Sequence, residues 1–165
     1  MFALAERVLV LENGRIVADG TPHEALHAPE QESVAQLAGI ENIFDAEVVA
    51  LHPEAGTMTC RVAGTRLTLE APLGRDAVAG RRVRLGLRAG DILLATVAPQ
   101  SISARNIIPG EVRSLERRDY LVVAKVDCGA AFEVHLTPSA VESLHLGPGV
   151  PVWLVIKTHS IRLLR

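Results

Sequence analysis

Short apolar runs separated by turn residues fill the chain from residue 42 onward, a pattern typical of a β-rich fold. Proline and glycine stand between the runs and mark the turns. In the first half of this region the predicted strands are 46–51, 57–62, 66–70, 81–87 and 92–95. The second half repeats the rhythm, with predicted strands at 110–115, 120–127, 131–136, 150–156 and 161–164.

The two halves align as copies of one unit. Residues 41–51 match 105–115 at an offset of 64 (105 minus 41), and residues 80–94 match 149–163 at an offset of 69 (149 minus 80). Repeats of this length indicate duplicated small domains, and five short strands with one small helix per copy are typical of an oligonucleotide/oligosaccharide-binding (OB) barrel. We therefore predict a mainly β chain of tandem OB-fold-like barrels joined near 98–101. Equivalent pairs are Val48 with Val112 and Ile92 with Ile161.

Residues 1–38 follow a different pattern. Apolar runs at 8–11 and 16–18 flank Asn13-Gly14, which predicts a β-hairpin because a type I′ turn needs positive φ at both central residues. A short helix is predicted at 22–27 and a second helical piece at 33–37. A small hairpin and helix therefore precede the two barrels.

The run His23-Glu24-Ala25-Leu26-His27 matches the H-E-x-x-H zinc-protease pattern. Thr21 and Glu24 also form a capping box for the predicted helix, which already explains the glutamate. The helix is short, and nothing after it supplies an obvious third ligand. We therefore predict neither a metal site nor a catalytic residue in this segment.

The composition narrows the class of function. Of the 165 residues, 48% are hydrophobic and only 3% are aromatic, so the core is aliphatic. The net charge of −2 and the few aromatic side chains argue against nucleic-acid binding, and any anion site must be local. Cys60 and Cys128 lie in strand-like runs and are expected as reduced thiols of a cytosolic protein. No apolar run is long enough to span a bilayer.

Hydrogen-bond donors and positive charge stand at the two ends of the second copy. The first copy has Glu41 and Asp91 at the places of Arg105 and Ser160. A tetrahedral dianion needs several convergent N–H or O–H donors and one or two positive charges. The structural alternative stays open: Ser103 begins a strand, the Asn106 side chain bonds a turn, and Arg105 is solvated. The candidate oxyanion-binding residues are Ser103, Arg105, Asn106, Lys157 and Ser160.

Two segments resemble known families. Residues 3–22 resemble the last part of an ABC-transporter ATPase domain, after its switch histidine. The run Ser103-Ala104-Arg105-Asn106, followed by Gly110-Glu111-Val112 and then by 144–149 and 155–157, resembles the molybdate-binding domain of molbindins. That domain also ends the ATPase subunits of molybdate importers. The resemblance implies an ATPase-domain remnant at 1–38, a first OB-like transport-associated domain at 39–98 and a molybdate-binding one at 99–165.

The resemblance also implies a function. The five candidate residues lie where the family contacts molybdate or tungstate, although Thr158-His159 departs from the small residues of the family. The chain would be an oxyanion-binding regulatory domain of an ABC-type molybdate importer ATPase subunit, with no organic cofactor. A homodimer is expected, placed at the cytoplasmic face of the membrane and linked to the permease through the intact subunit.

A second interpretation has no small ligand. Residues 85–92 resemble the regulatory domain of sugar-importer ATPases, which mainly dimerises and contacts partner proteins. The chain would then be a dimerisation module. The two interpretations differ at 103–106, because the sugar-importer group is not expected to carry the Ser-Ala-Arg-Asn run.

The chain lacks the phosphate-binding loop, signature motif, magnesium-site carboxylate and switch histidine of ABC ATPases, as expected for a C-terminal piece or a separately encoded remnant. We therefore predict that the purified chain neither hydrolyses nor binds ATP, because nothing in it can hold the phosphates. A phosphate-release assay checks this. Specific turnover by the pure chain would contradict the prediction.

Overall fold

The structure, a computed structural model, describes residues 6–12, 14–21 and 39–164. The predicted helices at 22–27 and 33–37, and with them the H-E-x-x-H run, lie outside the described residues. The predicted hairpin is present, since β1 (Val8–Glu12) pairs antiparallel with β2 (Arg15–Gly20). Gly14 in the turn has a φ of 77°, a left-handed conformation that glycine adopts without steric cost.

Ten further strands of the described chain form two five-stranded antiparallel sheets. The first repeat supplies β3 (Asn42–His52), β4 (Thr57–Val62), β5 (Thr68–Pro72), β6 (Arg82–Leu87) and β7 (Leu93–Ala95). The second repeat supplies β8 (Asn106–Arg118), β9 (Leu121–Asp127), β10 (Ala131–Leu136), β11 (Pro151–Ile156) and β12 (Arg162–Leu164). The connections include α1 (Pro138–Ser143) and the 3-10 turns η1 (Pro53–Ala55), η2 (Ala89–Asp91) and η3 (Thr158–Ser160).

Each sheet takes its last strand from the other repeat. The first sheet has the order β12-β6-β3-β4-β5, and the second has the order β7-β11-β8-β9-β10. Leu163 of β12 lies opposite Leu85 of β6, and Leu94 of β7 lies opposite Leu154 of β11. The sequence pattern does not reveal this exchange, because duplicated repeats present similar edges. The domain limits 39–98 and 99–165 stay a prediction, and both sheets contain strands from either side of that boundary.

Matching irregularities in the two sheets confirm the duplication. A register shift follows Val48 in the β3–β4 ladder and Val112 in the β8–β9 ladder. The amides of these two valines donate to the equivalent carbonyls of Arg81 (2.9 Å) and Val150 (3.0 Å). The predicted equivalence of Val48 with Val112 is therefore confirmed.

The predicted fold class is also confirmed: the chain is mainly β, and its sheets curl into half-barrels as in OB-fold-like domains. β4 and β10 have the predicted bounds. β3 and β8 begin at Asn42 and Asn106, four residues before the predicted strands, because these residues pair with β6 and β11. The Thr137 hydroxyl accepts from the Ala140 amide at 3.2 Å and caps α1.

One hydrophobic cluster joins the two repeats. Phe44 of β3 contacts Phe132 of β10 with ring centroids 4.7 Å apart, so the aromatic contact crosses from one repeat to the other. Both cysteines are free, and burial raises the pKa of Cys60 to about 11. Burial, assisted by the charge of Asp127, raises the pKa of Cys128 to about 12. Both thiols therefore stay protonated at neutral pH.

Among the residues that the structure describes, no helix has the length and apolar character needed to cross a membrane.

The strand exchange predicts that neither repeat folds alone as a monomer. The fragment 39–98 lacks β12, so β6 would have an uncovered edge, and the fragment 99–165 lacks β7. In size-exclusion chromatography with light scattering, each fragment should be unfolded or self-associated. The two fragments mixed should form a 1:1 complex with the spectrum of intact 39–165. A cooperatively folded, monomeric 99–165 fragment would contradict the exchange.

Candidate functional site

Asn106, the first residue of β8, is the buried centre of the candidate site. It is only 4% exposed. Its Nδ2 donates to the carbonyl of Glu70 (3.0 Å), and its Oδ1 accepts from the amide of Glu70 (2.7 Å). Glu70 belongs to β5, an edge strand of the first sheet. The Asn106 side chain therefore satisfies backbone groups at an edge of the other repeat's sheet.

Asn42, the first residue of β3, makes the same contact in the first repeat. Its Nδ2 donates to the carbonyl of Glu133 (2.8 Å), and its Oδ1 accepts from the amide of Glu133 (2.7 Å). Glu133 lies in β10, an edge strand of the second sheet. We call these contacts the Asn42 clasp and the Asn106 clasp. Together they join the two repeats at pseudo-symmetric places.

The structure brings together most of the predicted site. Asn106 pairs with the last residue of β11, so Arg105 and Lys157, the next residues outward, lie at the same end of these antiparallel strands. Ser160 belongs to the following turn, where its amide donates to the carbonyl of Lys157 at 3.0 Å. Arg105 and Lys157 are exposed and Ser160 is half-buried. Ser103 is exposed in the connection that leads into β8, three residues before Asn106.

The first repeat contributes a carboxylate to this place. The hydroxyl of Thr158 is buried and donates to Oε1 of Glu70 at 3.2 Å. The same Glu70 is held through its backbone by the Asn106 clasp. The site is therefore built from both repeats, with β8 and η3 from the second and β5 from the first.

A carboxylate occupies the matching place in the first repeat. Oε2 of Glu41, the residue before Asn42, accepts a hydrogen bond from the amide of Ala89 at 2.8 Å. Ala89 is the first residue of η2 and is fully buried. The backbone N–H at this turn therefore binds an oxyanion group that belongs to the chain itself.

The second repeat has the same backbone at this turn but different side chains. The residue before the turn is Arg88 in the first repeat (φ −75°, ψ 134°) and Lys157 in the second (φ −72°, ψ 143°). Thr158 takes the place of Ala89, and Arg105 takes the place of Glu41. The Thr158 amide therefore lies next to cationic residues where its counterpart meets a carboxylate.

The first repeat's turn η2 contacts β10, and charged groups lie around it. Burial, together with repulsion from Arg88, lowers the pKa of Arg162. Glu133 bonds to Lys125 and His135. Burial raises the pKa of the Glu133 carboxyl, but the two hydrogen bonds outweigh burial, and the net pKa is lowered. Glu133 thus pairs with Lys125 and His135, whereas Glu70 accepts from the Thr158 hydroxyl.

Sequence reasoning missed the two edge-strand glutamates, Glu70 and Glu133. Each stands between apolar residues in the third strand of its repeat, in Leu69-Glu70-Ala71 and Phe132-Glu133-Val134. This shared position in both copies was a usable signal. The contacts themselves were not readable, because they join residues of different repeats.

No other centre among the described residues competes for this role. Within residues 6–12, 14–21 and 39–164, no cluster of three or more His, Cys, Asp or Glu side chains is arranged to hold a metal ion. A cavity of about 1040 Å³ lies beside the first sheet, and none of the five predicted site residues lines it. A small tetrahedral ion needs convergent donors rather than a large cavity, so the geometry at the Asn106 clasp is the better guide.

The clasps predict a measurable loss of stability. Asn42→Ala and Asn106→Ala should each reduce the free energy of unfolding by about 2–4 kcal/mol, because two hydrogen bonds disappear and buried backbone groups lose partners. Urea denaturation of each variant measures this. Ser143→Ala, which removes an exposed hydroxyl bonded within α1, is the control and should cost little. Losses below about 0.5 kcal/mol for both asparagine variants would refute the clasps.

Comparisons with known proteins identify relatives of this chain. Residues 102–163 match the family described as "TOBE domain". The molybdenum import ATP-binding protein ModC of Rhizobium meliloti is 37% identical over 164 residues, covering 96% of this chain and 44% of that protein. The molybdate/tungstate import ATP-binding protein WtpC of Pyrococcus abyssi is 32% identical over 161 residues, covering 97% of this chain and 43% of that protein. The chain thus spans about half the length of these curated relatives.

A solved structure has the same fold. It is the cytoplasmic molybdate-binding protein ModG with molybdate bound, which superposes with a TM-score of 0.66 at 27% identity. The superposition covers 75% of this chain and 95% of that one. The resemblance noted in the sequence is therefore confirmed. Residues 102–163 match the TOBE domain family, and the chain is a homologue of the C-terminal part of molybdate import ATP-binding subunits.

Proposed function

We propose that this chain is the oxyanion-binding regulatory part of a molybdate importer ATPase subunit. Molybdate or tungstate would bind at the end of the second repeat where β8, η3 and β5 meet. The names of the ModC and WtpC relatives and the molybdate-bound ModG neighbour support this ligand class. The proposed ligand site comprises Ser103, Arg105, Asn106, Lys157 and Ser160.

The Glu41 contact carries the proposal. In the first repeat a carboxylate oxygen lies 2.8 Å from the amide of Ala89. A carboxylate and a tetrahedral oxyanion present the same acceptor atoms to an N–H group. The second repeat keeps the turn and replaces Glu41 by Arg105, so an external oxyanion would take the place of the missing carboxylate. The first repeat's site would be filled by its own side chain.

The charges at the proposed site suit a dianion that binds with limited affinity. Arg105 and Lys157 supply two positive charges, and Glu70 supplies one negative charge beside Thr158. Hydroxyl, ammonium and guanidinium groups donate hydrogen bonds, and donors favour a fully deprotonated ion over hydrogen phosphate, which carries a proton needing an acceptor. Asn106 would act mainly through its clasp, which fixes the backbone between Arg105 and the β5 edge.

The coupling to ATP hydrolysis and the contact with the permease concern a larger protein, since the ModC and WtpC relatives are about twice as long as this chain. We propose that the intact subunit couples ATP hydrolysis to import, while this part reports internal oxyanion without hydrolysing ATP. It would lie at the cytoplasmic face of the membrane and influence the permease through the ATPase domain.

A homodimer is part of the proposal, and it is also the basis of the alternative function. β7 is an edge strand of the second sheet, and Leu93 is 65% exposed beside Val97 at 76%. Exposed β edges with apolar side chains tend to pair. A dimerisation module without a small ligand, as in sugar-type importer ATPases, would use the same surface.

Lys157→Ala tests the proposal directly. The change removes a charge-assisted hydrogen bond worth about 1.5–3 kcal/mol, so molybdate affinity should fall roughly ten- to 150-fold. Calorimetric titration with molybdate, tungstate, sulfate and phosphate measures this and ranks the ions.

Arg88→Ala is the matched control, at the equivalent position of the first repeat. It should matter less, because the Glu41 carboxylate already accepts from the neighbouring amide. Equal losses from the two changes would place the ion across both repeats. If the unmodified chain binds none of the four ions, the oxyanion proposal fails and the dimerisation module remains.

A further inference from the structure

A large cavity opens beside the first sheet, away from the proposed oxyanion site. Its volume is about 1040 Å³, at the upper end of the range typical of small-molecule sites, roughly 300–1000 Å³. β3, β4, β6 and β12 and the loop 73–81 enclose it. The apolar lining includes Met58, Val62, Val83, Ala77 and Leu163.

The cavity exists because the two repeats differ in length at one connection. Residues 137–150 link β10 to β11 and contain α1, which packs on β9 and turns Val141 and Leu144 onto the core. The equivalent loop 73–81 is five residues shorter (fourteen minus nine) and has no helix. β4, the counterpart of β9, therefore has no helix over it, and the cavity lies where α1 stands in the second repeat.

Arginines dominate the polar part of the cavity wall. Five arginines and three carboxylates line it, an excess of two positive charges. Arg61 pairs with Glu47 (3.1 Å), whereas in the described part of the chain neither Arg75 nor Arg82 has a carboxylate partner. Both of these side chains are exposed at the rim. Guanidinium groups without partners next to an apolar wall favour a ligand that joins a carboxylate to a hydrocarbon body.

We propose that this cavity binds a small aliphatic carboxylate, with its head at Arg75 and Arg82 and its hydrocarbon body against the half-buried Ala77, Val83 and Leu163. Arginine suits the head because its planar fork matches a carboxylate in bidentate geometry. The apolar wall suits the body because burial removes hydrocarbon surface from water. The site is independent of the oxyanion site, since the two have no residue in common.

Calorimetric titration of the whole chain with octanoate tests the proposal. Octanoate should bind at one site per chain, while acetate, which lacks the body, and 1-octanol, which lacks the charge, should each bind at least tenfold more weakly. Equal affinity for acetate and octanoate would show a plain anion patch and would overturn the proposal. Absence of octanoate binding at millimolar concentration would overturn it too.

Variants locate the site. Arg75→Ala combined with Arg82→Ala should weaken octanoate binding about tenfold or more, because both charge-assisted contacts disappear. Ala63→Trp should abolish binding by filling the cavity mouth without changing any charge, since Ala63 is an exposed lining residue. Circular dichroism checks that each variant is folded.

Two control variants complete the test. Arg117→Ala removes an exposed arginine of the second repeat whose Nε donates to the carbonyl of Asp119 in the adjacent turn, and octanoate binding should be unchanged. Lys157→Ala, in the proposed oxyanion site, should also leave octanoate binding unchanged. If either control weakens octanoate as much as the Arg75/Arg82 double variant, or if Ala63→Trp has no effect, the cavity is not the binding site.

Discussion

The exchange of β7 and β12 is the constraint on which the placement of the site depends. Each exchanged strand follows a 3-10 turn, so crossing to the other sheet carries that turn against the other repeat's edge strand: η2 contacts β10, and η3 contacts β5. The clasps form at the same places. The candidate site is therefore composite, and its donors and its carboxylate come from different repeats. The bond between Asn106 and Glu70, for example, joins residues 36 positions apart.

Polar groups, rather than apolar packing alone, set how the two repeats meet. The hydrophobic cluster that joins them is mostly aliphatic, and aliphatic packing tolerates shifts in register. An asparagine that satisfies both backbone groups of one edge residue does not tolerate such a shift, because a slip leaves buried groups without partners. Asn42 and Asn106 thus give the interface its register.

Local features were readable from the sequence. The strands follow from apolar periodicity, which acts over a few residues, and the duplication follows from aligning the two halves of the chain. The exchange of β7 and β12 could not be predicted from the sequence, because the last strand of either copy can complete either sheet. Glu70 and the Glu41–Ala89 contact were missed for the same reason, since their partners are set by tertiary contacts. The sequence showed the change of offset from 64 to 69, but it did not show that the shorter loop leaves a cavity.

The crossed strands also tie folding to the order of synthesis. The first sheet needs β12, so the first repeat cannot complete its sheet when it leaves the ribosome and must wait until the second repeat has been made. During that interval β6 has an open edge, the situation in which nascent chains pair with the wrong partner. Two neighbouring nascent chains could then exchange strands with each other. Covalent linkage of the repeats opposes this, because it keeps the correct β12 at high local concentration.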